Sequence, residues 1–425
     1  MTKRPRTPAR SSGPSSEPSS RPARGRRSPE IESVEPPKPV ARRTTSPEAL
    51  TPHALLDIYR PDLVQLLVSE NASTYRYAQV VEHLFTRPLS PFVEATALPL
   101  HMRPALDAAG ASALVTAEER TAPDGTTKFL VEAHKAVAIE AVLMRYADRV
   151  TACLSSQAGC PVGCAFCATG AMGLQRNLST AEIVDQARII RAHAERGGLR
   201  LSNVVYMGMG EPLLNLRSVL DSIRVIADPH GLALSRRSIS VSTVGIPAGI
   251  RTLARTEPQV NLAISLHAAD DHTRALLVPD TFRHPISEIL QAAWEHFTIT
   301  GRKLLVEYVL LRDINDSPDD ARRLAALLRG HVVAVNLLPW NPVRTRGPRT
   351  FPGTSSDAVK DRSSTAVRPA PANRAPLPVF RPPSPAAVAA FRQMLIGAHV
   401  EVVVRRSKGA GIDAACGQLA GRHGG

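Results

Sequence analysis

From about residue 150 onward the chain alternates between two kinds of apolar pattern. Runs rich in β-branched residues, NVVYMGM (203–209), SISVSTVG (238–245), NLAISLHA (261–268), KLLVEYVLL (303–311) and VVAVNLLPW (332–340), are continuous enough to be buried strands. Between them lie stretches with helical spacing, such as TAEIVDQARIIRAHAE (180–195) and PDDARRLAALLRG (318–330). Strands alternating with helices predict an α/β fold built on a parallel sheet or barrel. About six such units suit a partial (β/α)6 barrel, whose chemistry gathers at the C-terminal ends of the strands. Upstream, residues 51–110 read as a small helical accessory domain (ALLDIYRPDLVQLLVSE, YRYAQVVEHLF, MRPALDAAG), and 111–148 as a short β-rich linker containing TTKFLVEAHKAVAIEAVLM.

Two segments lack any such period. Residues 1–50 are rich in Pro, Ser and Arg, cannot bury a core, and are expected to be a disordered tail. Residues 343–385 repeat that composition and read as a low-complexity insert within a core formed by 149–342 and 386–421. The formal charge of +14 is concentrated there: each of the two segments carries a net +6, whereas 51–342 carries −1. Flexible basic arms raise affinity for phosphate backbones, although Arg-rich linkers share the same composition. No run of 18 apolar residues occurs, and the N-terminal charges are not followed by an apolar signal region. A cytoplasmic, monomeric protein without a membrane segment is expected.

The chain has five cysteines, and three of them, Cys160, Cys164 and Cys167, fall in GCPVGCAFC with C-x3-C-x2-C spacing just after a strand-like segment. Closely spaced thiolates on one loop suit an iron–sulfur cluster. Three thiolates on a four-iron cubane leave one iron open to chelate the amino and carboxylate groups of S-adenosylmethionine (SAM). Zinc fits less well, because a closed site wants four ligands and no second cysteine pair is present. A disulfide framework is not expected in a chain of this size and compartment. Later strand ends carry further polar groups: Gly210 and Glu211 in MGMGEP, then Ser242, Ser265, His267 and Asn341.

These features together resemble the RlmN/Cfr family of radical-SAM RNA adenine methyltransferases. The resemblance rests on CLSSQAGCPVGCAFCATGAMGLQRNLSTAEIVDQ, VVYMGMGEPLLN, SVSTVGIPAGI, LAISLHA, EYVLLRDINDSP, VNLLPWNP and RSKGAGIDAACGQLAG. It implies a radical-SAM core holding a [4Fe–4S] cluster on Cys160, Cys164 and Cys167. It further implies SAM contacts from Gly210, Glu211, Ser242, Ser265, Leu266, His267 and Asn341. Cys416 resembles the cysteine that is itself methylated, Cys153 the partner thiol that resolves the covalent adduct, and Glu140 the general base. The implied substrates are 23S rRNA at the peptidyl-transferase centre and the adenosine beside the anticodon of tRNAs, with a reducing system for cluster and disulfide. MGMGEP favours methylation of adenosine carbon 2 over the carbon-8 branch.

The chemistry accounts for the two cysteines beyond the cluster. Carbon 2 of adenine is electron-poor, so the methyl group is first placed on a thiolate and then transferred as a carbon radical. Three alternatives remain open: a Cfr-like carbon-8 enzyme, a radical-SAM enzyme acting on a protein or small molecule, and a non-catalytic iron–sulfur protein that binds RNA.

Overall fold

The computed structural model describes residues 49–421 apart from 88, 134–136, 280–281, 344–378 and 406. The 1–50 tail, except its last two residues, and most of the 343–385 insert therefore lie outside the described residues.

Four helices come first: α1 (Pro52–Tyr59), α2 (Pro61–Ser69), α3 (Thr74–Thr86) and α4 (Arg103–Ala109). The stretch 54–70 reads as one helical run, but it breaks at Arg60, because Pro61 cannot continue the α1 hydrogen-bond ladder and instead opens α2. Three antiparallel strands follow, β1 (Val115–Thr121), β2 (Thr127–Ala133) and β3 (Val137–Arg145), and β3 pairs antiparallel with β4 (Val150–Cys153). The region expected as a linker thus extends the main sheet. Next come β5 (Gln157–Gly159), α5 (Ala168–Met172), β6 (Leu174–Asn177), α6 (Thr180–Arg196), β7 (Leu201–Tyr206), α7 (Leu216–Ala227), β8 (Ile239–Thr243) and α8 (Pro247–Thr256). The remaining elements are β9 (Asn261–Ser265), α9 (Asp271–Leu277), α10 (Ile286–Thr300), β10 (Leu304–Leu310), α11 (Pro318–Leu328), β11 (Val333–Pro339), α12 (Pro385–Gly397) and β12 (Glu401–Val404).

The sheet order is β1-β2-β3-β4-β7-β8-β9-β10-β11-β12, and from β4 onward every neighbour is parallel. Strands β4 and β7–β11 are the six units of the expected partial barrel, and β12 adds one more. Their side chains are buried because helices cover the sheet, which is why the strands read as continuous apolar runs.

Helix α6 differs from an ordinary barrel helix. Its start is set by a capping box, Ser179 with Glu182, yet almost everything from Ala181 to Ile190 is buried, including Asp185, Gln186 and Arg188. The accessory helices cover its outer side. Arg188 donates to Asp185 Oδ1 at 2.6 Å, to Tyr59 Oη at 2.6 Å, and to the carbonyls of Leu84 and Ala111. Asp185 also accepts from the Tyr59 hydroxyl and from the Ala113 N–H. One buried network therefore ties α1, α3 and the start of the strand region to the barrel.

Candidate active site

The three cluster cysteines sit on a loop launched from a small ribbon, β5 paired with β6. Gly159 makes this possible: its φ is +73°, and a Cβ there would lie 1.9 Å from the Gly173 carbonyl. The Cys160 N–H donates to that carbonyl, the Ala165 N–H to Leu277 O, and the Trp340 indole N–H to Phe166 O. Contacts from α9 and from Trp340, just past β11, thus shape the loop, so its geometry depends on the assembled partial barrel.

Cys160, Cys164 and Cys167 line one cavity together with Gly210, Glu211, Ser242, Ser265, His267 and Asn341. Burial raises the Cys164 thiol, and the neighbouring Cys160 and Cys167 raise it further, while the Arg274 guanidinium opposes them. Arg274 is fully buried and donates to the carbonyls of Leu266, Val244 and His284. Among the described residues no group of three or more His, Cys, Asp or Glu side chains is arranged to hold a metal ion. Soft thiols spread around one cavity, with a buried cation beside them, fit a multi-iron cluster of net negative charge better than a lone ion.

Glu211 follows β7. Gly210 has φ +102°, and a Cβ there would lie 2.6 Å from Gln157 Cβ, so the chain passes flush against the start of the cluster ribbon. The Glu211 carboxylate accepts from the N–H groups of Leu213 and Val244, at 3.0 and 2.8 Å. Burial nevertheless raises its pKa to about 7, against the pull of those donors and of Thr243. On the next two strands the hydroxyls of Ser242 and Ser265 lie 3.1 Å apart.

His267 adopts φ +61°, a conformation rare for a side-chain-bearing residue, and Asn315 holds it there by donating to the His267 carbonyl at 2.7 Å. Its Nδ1 accepts from the Val309 N–H at 3.1 Å, which leaves the ring proton on Nε2. Burial, helped by Arg274, lowers its pKa to about 3, so the ring is neutral. Leu266 is fully buried and absent from the cavity lining; its carbonyl instead accepts from Arg274.

Cys416 also lines this cavity, and in addition it lines a second one, whose wall includes Cys153, Tyr146, Arg149, Arg405 and Lys408. Cys416 is exposed on the wall shared by the two cavities. Desolvation by those walls raises its thiol, and Arg405 opposes that rise. Cys153 ends β4 and is buried; its thiol is raised to about 12 by desolvation and by Cys416, opposed by the Met207 N–H and Arg405. The Cys416 segment is fastened to the cluster loop, since the Ala168 N–H donates to Gly417 O and the Thr169 hydroxyl to Leu419 O, both at 2.7 Å. Glu140, on β3, is buried, pairs with Lys128 Nζ at 3.0 Å and lines neither cavity.

Arg274, Asn315, Arg405 and Lys128 were not singled out by sequence. Each acts through a contact distant in sequence, so no local spacing marks it. Asn315 lay within the quoted RDINDSP and carried no separate signal.

A parallel partial barrel with three thiols and a carboxylate at its strand ends defines a radical SAM enzyme. In agreement, the family model described as the Radical SAM superfamily matches residues 154–325. The chain is 42% identical to a probable dual-specificity RNA methyltransferase RlmN from Salinispora arenicola, over 88% of this chain and 93% of that one. It is 39% identical to the dual-specificity RNA methyltransferase RlmN of Syntrophobacter fumaroxidans, over 88% of this chain and all of that one. The crystal structure of a radical SAM methyltransferase from Sphaerobacter thermophilus superposes with a TM-score of 0.74 at 36% identity, covering 88% of this chain and 100% of that chain. The chain belongs to the RlmN family of radical SAM methyltransferases, and its cofactors are a [4Fe–4S] cluster and SAM. Among the described residues no helix is long and apolar enough to cross a membrane.

Proposed function

We propose that this enzyme methylates carbon 2 of adenosine in 23S rRNA, at the peptidyl-transferase centre, and in tRNAs beside the anticodon. The observation that carries the reading is the position of Cys416, which faces the cavity of the cluster thiols on one side and the cavity of Cys153 on the other. A methyl carrier needs access to both a donor and an acceptor, and this residue has it.

The bound cluster and SAM supply a 5′-deoxyadenosyl radical. Glu211 offers a carboxylate to the ammonium of SAM, and the Ser242 and Ser265 hydroxyls with neutral His267 line its remaining surface. The Cys416 thiolate, favoured by Arg405, takes a methyl group from a first SAM. The 5′-deoxyadenosyl radical would take a hydrogen atom from the Cys416 S-methyl group, and the carbon radical left there would bond adenine carbon 2. As the adduct gives one electron back to the oxidised cluster, Glu140 accepts the proton released from carbon 2. Cys153 then loses its own proton and attacks Cys416 Sγ, which releases the methylated adenosine and leaves a disulfide for an external reductant. Burial raises the Cys153 thiol, so it stays protonated until that step. The target base must leave its stack to enter the second cavity, in the cytoplasm where these RNAs reside.

Anaerobic reconstitution with rRNA and tRNA fragments, followed by mass spectrometry of nucleosides, tests the proposal. 2-Methyladenosine is expected. 8-Methyladenosine would place the chain in the other branch, and full product formation by Cys416→Ala would refute the methyl relay.

A further inference from the structure

Cys416 is carried on a segment held at two points by a single buried ion pair. Lys128 on β2 and Glu140 on β3 pair at 3.0 Å, with side chains 11% and 1% exposed. The two residues sit on adjacent antiparallel strands, where Leu130 lies opposite Glu140. The ammonium of Lys128 also reaches the carbonyl of Asp413, at 3.4 Å, just before Cys416. The second carboxylate oxygen of Glu140 accepts from the Ala420 N–H at 2.8 Å, just after Cys416. Gly421 then lies against β3 so closely that a Cβ would meet the Ala138 carbonyl at 2.6 Å. Each end of the segment is thus fastened to one partner of the pair.

This arrangement has a consequence for the base. Both oxygens of Glu140 are engaged, one by Lys128 and one by the very segment that carries Cys416, and Glu140 is absent from the lining of both cavities. A carboxylate so covered does not reach a proton on a bound base. Withdrawing the Ala420 N–H frees one oxygen while Lys128 still holds the other, which keeps the carboxylate aimed.

We propose that the Lys128–Glu140 pair is a clasp on the Cys416 segment and that Lys128 is a positioning residue: the base is uncovered when that segment, loaded with substrate, moves off it. The clasp therefore orders the reaction. Methylation of Cys416 needs no free base and does not depend on the clasp, whereas proton removal requires it open at Ala420. This inference rests on the relay through Cys416 and on Glu140 as the base.

The test uses the full chain with its cluster reconstituted, comparing wild type, Lys128→Met and Lys128→Arg. Three quantities are measured: the rate of Cys416 alkylation by iodoacetamide without SAM, the extent of Cys416 S-methylation, and the rate of methyl transfer to an rRNA hairpin. Lys128→Met is expected to speed alkylation, because the segment loses its fastening at Asp413, and to leave S-methylation near the wild-type level, because the hydrogen bonds from Ala168 and Thr169 remain. Transfer to RNA should fall by about 100-fold, the scale of a misplaced catalytic group. Lys128→Arg, which keeps the charge and the reach, should restore transfer. A general folding defect in Lys128→Met would lower S-methylation as well, and that result would overturn the proposal. Alkylation and transfer both within twofold of wild type would overturn it too. Failure of the underlying relay shows separately, as product formation by Cys416→Ala, because alkylation reports on the clasp without any turnover.

Discussion

Replacing Asp185 by Asn removes the one carboxylate that faces Arg188 in the network joining the accessory helices to the barrel. Both side chains are fully inaccessible, and the pair is 2.6 Å apart. The substitution leaves the guanidinium buried with only neutral acceptors: the carbonyls of Leu84 and Ala111 and the Tyr59 hydroxyl. Breaking a buried pair by removing one partner costs about 3–5 kcal/mol, against ~0–1 kcal/mol for an exposed pair. At about 1.4 kcal/mol per factor of ten, the middle of that range raises the unfolded fraction by roughly a thousandfold. Arg188→Met should cost a similar amount. The double variant Asp185→Leu/Arg188→Met should cost clearly less than the two single costs combined, because neither charge is then left alone. Urea denaturation followed by circular dichroism gives the free energies, and hydrogen exchange should show 52–109 losing protection before the barrel strands. A cost of under ~1 kcal/mol for Asp185→Asn would show that the network is relaxed or hydrated, and the argument for rigid coupling would fail.

Burial holds Glu211 at about 7, so folding makes it take up a proton, and the fold loses stability as pH rises from the ordinary carboxylate range through about 7. Under the proposed contact between Glu211 and SAM's ammonium, which needs the charged carboxylate, SAM affinity measured by calorimetry should fall by about tenfold from pH 8 to pH 6, and Glu211→Gln should flatten that dependence. Gly210→Ala forces a Cβ to within 2.6 Å of Gln157 Cβ at φ +102°, so SAM binding should weaken while the iron content of the reconstituted protein stays the same. Cys153→Ala should allow methylation of Cys416 and addition to RNA but not release; a protein–RNA conjugate should accumulate on denaturing gels, and normal turnover would remove Cys153 from the scheme. Deleting 1–48 and 344–378, where much of the basic charge resides, should weaken RNA binding and flatten its salt dependence; unchanged slope and affinity would make them linkers.

Local pattern was enough to recognise the strands, the helical stretch of α6, the cysteine loop and the polar residues at strand ends. These follow from short-range causes: a period near two or near 3.6, and thiols a few residues apart. Cys160, Cys164 and Cys167 are neighbours on one loop, and any fold that presents that loop presents all three. The break between α1 and α2 was equally local, and Pro61 signals it.

Tertiary structure decided the rest. Asp185 and Arg188 look like the polar side of a surface helix, and only the packing of α1 and α3 against α6 makes them a buried pair. Residues 111–148 carry strand patterns, but their union with the barrel sheet depends on β3 pairing with β4. Cys416 stands over 260 residues from Cys153 in sequence, and their sharing of a cavity follows from the last segment folding back over the cluster loop and the β2–β3 hairpin. Glu140 was legible as a candidate base through family resemblance, whereas its partner Lys128 and its hold on Ala420 were not. Chemistry carried by one short segment can be read from residue order, because the chain itself sets the distances. Contacts between segments depend on how sheets and helices close, and that is decided by the packing of the whole chain.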